Sequence, residues 1–131
     1  MSDVKDLGER LYKALGSGDI DTLMNMMHSE FRGDLTPGLP LGLGGIFDGR
    51  EAMMRDCWGV IGENFDMHSD VESLSATEDS IVAFGVYRGT ARETGKPIAA
   101  RFAHTWPVRD GKLMGVHQTT DSAAWHEALT A

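Results

Sequence analysis

The feature that most constrains the fold is a change in the hydrophobic period near Asp66. Before this residue, apolar side chains recur three and four positions apart, which is typical of amphipathic helices. After it, apolar and polar residues alternate with a period of two, as in strands. Helices followed by an antiparallel series of strands predict an α+β fold, with helices packed on one face of a sheet. At 131 residues, the chain is expected to form a single domain over residues 1–131.

Three N-terminal helices and one closing helix are expected. The first covers residues 3–16 and ends at Gly16-Ser17-Gly18, after which Asp19 is the expected N-cap of the second. Asp48 and Glu51 have the spacing of a capping box and are expected to open the third helix. The closing helix is predicted over residues 122–129.

Four strands are predicted after the third helix. Their expected ranges are 67–76, 80–92, 98–108 and 112–120. Residues 36–45 contain two prolines and four glycines, so they are predicted to be irregular. Three leucines alternate with these residues, and we expect the loop to fold over apolar surface as a lid or rim.

The composition excludes several classes of function. A net charge of -8 argues against nucleic-acid and membrane-surface partners. The lone Cys57 cannot form an internal disulfide, which fits a reducing, cytoplasmic location. We expect no signal peptide and no membrane-spanning segment, because no long apolar run is present. The five histidines lack a ligand spacing and the glycine-rich loop lacks a nucleotide-binding pattern, so neither a metal nor a cofactor is expected.

The last hairpin decides which side chains share a face of the sheet. If Arg109-Asp110-Gly111 form a three-residue loop, His104 lies opposite Val116 and Phe102 lies opposite Gln118. With Asp110-Gly111 as a two-residue turn, His104 would instead lie opposite His117. The first register is preferred, because it collects an apolar face with a few polar groups, the composition of a ligand pocket. That face would contain Ala100, Phe102, His104, Trp106, Met114, Val116, Gln118 and Thr120.

Several short motifs resemble the nuclear-transport-factor-2-like superfamily, in particular its SnoaL-like and ketosteroid-isomerase-like branch. They are Gly18-Asp19-Ile20-Asp21, Phe47-Asp48-Gly49-Arg50-Glu51-Ala52, Phe102-Ala103-His104-Thr105-Trp106 and Arg109-Asp110-Gly111-Lys112. The resemblance implies a cone-shaped α+β barrel, commonly a homodimer, with a deep pocket between sheet and helices. It does not fix one chemistry, because members isomerise, cyclise, dehydrate, hydrolyse or only bind.

The resemblance also indicates candidate catalytic residues. His104 falls where the cyclases have a pocket histidine and the ketosteroid isomerases an acid that stabilises an oxyanion; the alternative is a buried core histidine. Asp34 lies close to the proton-abstracting Asp of the isomerases, and the alternative is a solvated carboxylate. Gln118 replaces an Asp of the cyclases and epoxide hydrolases, and an amide cannot act as a general base. The helix-one Tyr of the isomerases is not matched, since Leu11 stands near that place and Tyr12 is one position away.

Aromatic residues complete the expected pocket. Gly85 and Tyr87 stand where the limonene-type epoxide hydrolases have an Arg and an Asp, and this difference disfavours epoxide hydrolysis. Tyr87 is expected either to offer its hydroxyl to a ligand or to pack as an aromatic residue of the strand. Trp58, Phe102 and Trp106 are expected pocket walls, or plain core.

These residues lead to two hypotheses of function. The first is a cofactor-independent isomerase or cyclase of a small apolar carbonyl compound of polyketide, steroid or terpenoid type. In it, His104 polarises the carbonyl, Asp34 moves the proton, and Gln118 with Tyr87 orients the substrate. The alternative is a non-catalytic module of the same fold that binds a small ligand or dimerises.

Overall fold

The computed structural model describes residues 2–131, which form four helices and one six-stranded sheet. The helices are α1 (Ser2–Ser17), α2 (Ile20–Met26), α3 and α4 (Ser122–Leu129). Helix α3 consists of Arg50–Ala52, a π-helical turn at Met53–Trp58, and Gly59–Asn64. The strands are β1 (Met27–Leu35), β2 (Gly45–Asp48), β3 (Phe65–Ala76), β4 (Ser80–Ala91), β5 (Pro97–Arg109) and β6 (Lys112–Thr120).

The six strands form one curved sheet in the order β2-β1-β6-β5-β4-β3. Only β1 and β6 pair in parallel. Helix α1 packs on β3 and β4, and α4 packs on β5 and β4. The predicted α+β class with helices on a curved sheet is confirmed. The sheet does not close into the barrel that was expected, because β2 and β3 remain as its two edges.

Strand β2 was not predicted, and β1 was predicted only as an extended piece that begins at Phe31; both strands lie before the third helix. The apolar spacing of helix α2 continues to Met27, but the chain already changes to an extended conformation at that residue. The expected capping box at Asp48 and Glu51 is also wrong. Asp48 is the last residue of β2, and Gly49, at φ 92°, is the N-cap of α3 without a side-chain cap bond. The N-cap predicted at Asp19 is present, since its carboxylate accepts a bond from the Thr22 amide.

The register of the last hairpin differs from both sequence alternatives. Asp110 and Gly111 form a two-residue turn with positive φ angles of 54° and 72°, as a type I′ turn requires. The three-residue loop is therefore wrong. A bulge between the Thr105 and Val108 pairs then adds a residue to β6, so His104 lies opposite Gln118. The extra residue shifts the pairing by one position. His104 and Gln118 therefore lie on the same, buried face of the sheet, as predicted.

The bulge also moves one residue that was expected on the outer face. Leu113 pairs with Val108 on the turn side of the bulge and is fully buried. A β6 strand without the extra residue would keep Leu113 on the same face as His117, which is exposed. The irregularity therefore lets both halves of β6 contribute apolar side chains to one core.

The proline- and glycine-rich loop forms neither helix nor strand over residues 36–44, as its composition predicts. Leu39 and Leu43 are buried, whereas Leu41 is 45% exposed. The loop contributes no residue to the lining of the cavity described below, so the expected lid or rim is not observed. Among residues 2–131, no helix is both long and apolar enough to cross a membrane.

Candidate functional site

A cavity of about 360 Å³ lies between the sheet and helices α1 and α3. This volume is within the range of small-molecule sites in proteins. The π-helical turn supplies one wall, because its wider spacing turns two adjacent pairs of side chains toward the cavity. These pairs are Met53 with Met54 and Cys57 with Trp58. The sheet supplies the opposite wall through Tyr87, His104, Trp106, Val116 and Gln118.

Glycines leave the cavity open to solvent on one side. Gly16 and Gly18 follow helix α1, and Gly62 lies in the last turn of α3; all three line the cavity. A Cβ atom at any of them would meet no atom within 4 Å. Ile20 stands beside this opening and is 57% exposed. The opening therefore has an apolar rim with little side-chain bulk.

His104 lies at the centre of the sheet wall, between the only two tyrosines of the chain. Its Nδ1 is 2.6 Å from the hydroxyl oxygen of Tyr12, and its Nε2 is 2.5 Å from that of Tyr87. The Trp106 indole N–H also donates to the Tyr12 oxygen, at 3.0 Å. The imidazole ring stacks on Phe102 with the ring centres 4.2 Å apart. Both ring nitrogens are therefore occupied by protein groups.

Gln118 extends this network toward the loop that follows β1. The Thr36 backbone N–H donates to Oε1 of Gln118 at 3.3 Å, and a backbone N–H can only donate. This bond fixes the amide orientation, so the Gln118 NH₂ group donates to the Tyr87 oxygen at 3.2 Å. The Thr36 hydroxyl accepts from the Thr120 N–H, which holds Thr36 in place. The side chain predicted to orient a substrate therefore orients a tyrosine.

Burial keeps the imidazole of His104 neutral. Its side chain is 4% exposed, and desolvation lowers its pKa from 6.5 to about 3. No Asp, Glu, Lys or Arg belongs to the described residues that line the cavity. At neutral pH, His104 thus carries one ring proton, and it cannot act as a proton shuttle that titrates near pH 7.

The two tyrosines are weak acids for the same reason. Desolvation raises the pKa of Tyr12 and of Tyr87 well above the ordinary value of 10, despite the bond that each accepts from Trp106 or Gln118. Their hydroxyls therefore remain protonated at neutral pH. In this environment a phenol can donate a hydrogen bond to a carbonyl oxygen, which is the role of an oxyanion-stabilising group.

The structure brings most of the predicted site residues to the cavity. His104, Gln118, Tyr87, Trp58 and Trp106 all line it. Phe102 lies behind His104 and contacts the ring rather than the cavity.

Asp34 is the exception and requires a correction. It belongs to strand β1, where Leu35 points to the cavity and the alternation of the strand turns Asp34 to the opposite face. The Asp34 carboxylate is half exposed and lies 3.3 Å from Nδ1 of His117 on that outer face. The sequence interpretation placed Asp34 just after the second helix and did not recognise the alternation of strand β1. Asp34 is therefore not available to take a proton from a ligand in the cavity.

Tyr12 lines the cavity and bonds to His104, but the sequence interpretation did not select it as a site residue. Helix α1 approaches the sheet closely at Gly8, where a Cβ atom would lie 3.0 Å from Ile81. Tyr12 follows Gly8 by four positions and Leu15 follows Tyr12 by three, so the three residues share one side of the helix. This spacing was visible in the sequence, but the leucine stripe directed attention to Leu11. Leu11 instead fills the core and is fully buried.

No metal centre is formed by the described part of the chain. Within residues 2–131, no group of three or more His, Cys, Asp or Glu side chains converges on one point. Cys57 lines the cavity but is fully buried, and burial raises the pKa of its thiol to about 12. The hydrogen-bonded network of the cavity therefore consists of Tyr12, His104, Tyr87 and Gln118. His68 and Ser69 also line the cavity, from the more exposed part of β3.

Comparison with known proteins agrees with this geometry. A SnoaL-like domain matches residues 9–116. An NTF2-like protein from Burkholderia thailandensis is 25% identical, with a TM-score of 0.88 and 96% of each chain covered. TerC, co-crystallised with polyporic acid, is 22% identical over 99% of this chain and 100% of TerC, with a TM-score of 0.88. A protein from Xanthomonas campestris pv. campestris, provisionally assigned as a polyketide cyclase, is 18% identical over 98% of both chains, with a TM-score of 0.85. None of the curated proteins compared with the chain matches it.

The matched domain covers most of the chain, from the middle of α1 to the middle of β6. The solved structures share its fold over nearly the whole length. By its sequence and its fold, this chain belongs to the SnoaL-like family of NTF2-like α+β domains.

Proposed function

We propose that the chain is a cofactor-independent isomerase or cyclase of a small apolar carbonyl compound. The observation that carries the proposal is the pair of tyrosine hydroxyls that flank His104 in an otherwise apolar cavity. A general cyclase or isomerase role also agrees with the SnoaL-like family and with a structural neighbour assigned provisionally as a polyketide cyclase. Polyketide, steroid and terpenoid carbonyls are the substrate types that fit an apolar cavity with few polar groups.

In this proposal the tyrosines act on the carbonyl oxygen. A hydroxyl of Tyr12 or Tyr87 donates to that oxygen, and the bond strengthens as the oxygen gains negative charge in an enolate. His104 is a positioning residue that holds both hydroxyls through its ring nitrogens. The dry surroundings strengthen such bonds, because little solvent competes for them. The apolar walls hold the rest of the substrate.

The source of the base limits which substrates can react. The lining residues include no carboxylate, and His104, with its pKa lowered to about 3, is a poor proton acceptor. The other histidine that lines the cavity, His68, is exposed and is not part of the network around the tyrosines. The cavity therefore suits carbon acids that lose a proton to water or to a second group of the substrate. A carbon next to both a carbonyl and an aromatic ring is one example. Asp34 cannot take up this proton, because its side chain lies on the other face of the sheet.

Loss of deuterium from 2-tetralone labelled at its benzylic carbon tests the proposal. Wild-type protein is expected to accelerate the exchange above the buffer rate, as followed by mass spectrometry. Tyr12→Phe and Tyr87→Phe should each lower this acceleration by about 10²-fold, the usual effect of removing one oxyanion donor. Asp34→Asn is the matched control and should keep the wild-type rate. Exchange at the buffer rate with wild-type protein would contradict the catalytic proposal.

The absence of a carboxylate among the cavity-lining residues also favours a second candidate, a non-catalytic ligand-binding domain of the same fold. In that case, apolar ketones would raise the melting temperature without any exchange of their labelled carbon. Measuring thermal shift and exchange on the same samples separates the two candidates.

A homodimer is the proposed assembly. Helices cover only one face of the sheet, and the outer face carries Phe84, which is 49% exposed. Ion pairs of Arg88 with Asp70 and of Arg101 with Glu72 lie nearby. Sedimentation equilibrium should give twice the chain mass, and Phe84→Asp should shift the distribution toward monomer. A wild-type monomer at all concentrations would refute the assembly.

A further inference from the structure

The hydrogen bonds around His104 restrict which donors and acceptors the two tyrosine hydroxyls can present to a ligand. A neutral imidazole has one N–H and one bare nitrogen, so one of its two tyrosine neighbours must donate and the other must accept. Each tyrosine oxygen also accepts a second bond, from Trp106 in the case of Tyr12 and from Gln118 in the case of Tyr87. The two tyrosine hydroxyls therefore cannot have the same hydrogen-bonding state: one donates to His104 and the other accepts from it.

The tyrosine that accepts from His104 has both acceptor positions filled, and its own proton is free. It can only donate to a ligand. The other tyrosine donates its O–H in a hydrogen bond to the bare ring nitrogen. It still has one free acceptor position, so it can only accept a hydrogen bond from a ligand. Moving the ring proton from Nδ1 to Nε2 exchanges these two states. In either tautomer the pair presents one donor and one acceptor.

His68 and Ser69 also line the cavity, but within residues 2–131 no hydrogen bond joins either side chain to this network. The lining residues contain no charged side chain, and none of the buried side-chain nitrogen or oxygen atoms described lacks a hydrogen-bond partner. The orientation of Gln118 is fixed by the Thr36 amide, so its NH₂ group cannot rotate to accept from Tyr87. The indole of Trp106 has only a donor. The complement that a ligand meets at the two tyrosine hydroxyls is therefore determined by His104.

We infer that the cavity selects hydroxy ketones, compounds that carry a carbonyl and a separate phenolic or enolic hydroxyl. The carbonyl accepts from one tyrosine, and the hydroxyl donates to the other. A ligand with two carbonyls leaves the accepting tyrosine without a partner, and an unpaired buried polar group is costly. The hydroxyl must not be bonded internally to its own carbonyl, because its proton is then unavailable. This inference rests on the proposed function for the use of the cavity and adds the class of ligand.

Three tetralones test the inference in a binding experiment. 7-Hydroxy-1-tetralone has a donor and an acceptor, 7-methoxy-1-tetralone has two acceptors, and 1-tetralone has one acceptor. Isothermal titration with wild-type protein should give a dissociation constant for the hydroxy compound about tenfold lower than for either of the others, the effect of about one hydrogen bond to a buried group. Because 1-tetralone is smaller and the methoxy compound is larger, a steady trend of affinity with ligand size would not place the hydroxy compound above both; the variants below separate hydrogen bonding from fit.

Variants then assign the preference to the network. Tyr12→Phe and Tyr87→Phe should each reduce the preference to about twofold or less, whereas Met54→Leu should change the three affinities together and keep their ratio. If the Tyr87 variant does not fold, Tyr12→Phe alone decides, because Tyr12 is only half-buried. Equal binding of the three tetralones, or a preference that survives both tyrosine changes, would overturn the inference. Equal binding combined with deuterium exchange of 2-tetralone would leave the proposed catalytic function intact.

Discussion

Replacing His104 with phenylalanine is expected to remove part of the acid sensitivity of the fold. In the folded chain, burial lowers the pKa of His104 to about 3, whereas the ordinary value is 6.5. As the pH falls below about 6.5, the unfolded chain binds a proton at this residue and the folded chain does not. The free energy of unfolding that depends on His104 is therefore complete above pH 6.5 and decreases as the pH falls toward about 3.

The size of the effect follows from the same two pKa values. Between about pH 8 and pH 5, protonation of His104 in the unfolded chain lowers the free energy of unfolding by about 2 kcal/mol. His104→Phe lacks this loss. The variant is less stable than wild type near pH 8, since Tyr12 and Tyr87 lose a partner, but this difference should become about 2 kcal/mol smaller near pH 5.

Urea unfolding of both proteins at the two pH values measures this change. For a chain of this size, about 2 kcal/mol corresponds to a shift of roughly 1 M in the urea midpoint. His126→Asn removes an exposed histidine and retains His104, so it should keep the pH dependence of wild type. A stability difference between wild type and His104→Phe that is equal at both pH values would refute a neutral, buried His104.

Three further predictions concern separate parts of the structure. Asp34→Asn should leave tetralone affinities within about twofold of wild type in titration calorimetry, because the carboxylate lies outside the cavity; a tenfold loss would place it in the site. Gly62→Ala should raise the free energy of unfolding by about 0.5–1 kcal/mol, since a helical Cβ there meets open space. Gly85→Ala should lower the free energy of unfolding by about 1–3 kcal/mol, because its Cβ would clash with the backbone of Asp70. Equal effects of the two glycine substitutions in urea unfolding would contradict the surroundings that the structure gives to Gly62 and Gly85. The Cys57 thiol should react with a disulfide reagent about 10³-fold more slowly in the folded chain than in urea, because burial raises its pKa to about 12; similar rates would show that the cavity wall opens freely.

The fold could be predicted because its main signals are local. The change of period near Asp66, the glycine ends of helix α1 and the cap at Asp19 each depend on a few neighbouring residues. The face shared by His104 and Gln118 was predicted correctly, but from a three-residue loop that the structure lacks; the bulge in β6 compensates for the two-residue turn. The pairing of His104 with Gln118 was not predictable from the turn alone. It depends on a bulge in β6, and a bulge leaves little signal in one sequence.

The candidate site was only partly accessible, since its hydrogen bonds join distant elements. Tyr12 and His104 are 92 positions apart in sequence, and the contact forms only when helix α1 packs on the sheet. The error at Asp34 has a similar origin. Its orientation depends on β1 pairing in parallel with β6, a strand pair that no local pattern indicated. Pocket residues on predicted strands could be chosen by alternation, whereas those on helices and on unrecognised strands could not.

A crystal structure of the protein with 7-hydroxy-1-tetralone tests the central claim most directly. The account predicts that the ligand lies in the cavity beside Trp58, with its two oxygen atoms within hydrogen-bonding distance of the Tyr12 and Tyr87 hydroxyls, one each. The bonds from His104 to both tyrosines should remain. A ligand bound with its oxygens toward the open rim at His68 and Ser69, or one found outside the cavity, would contradict the account.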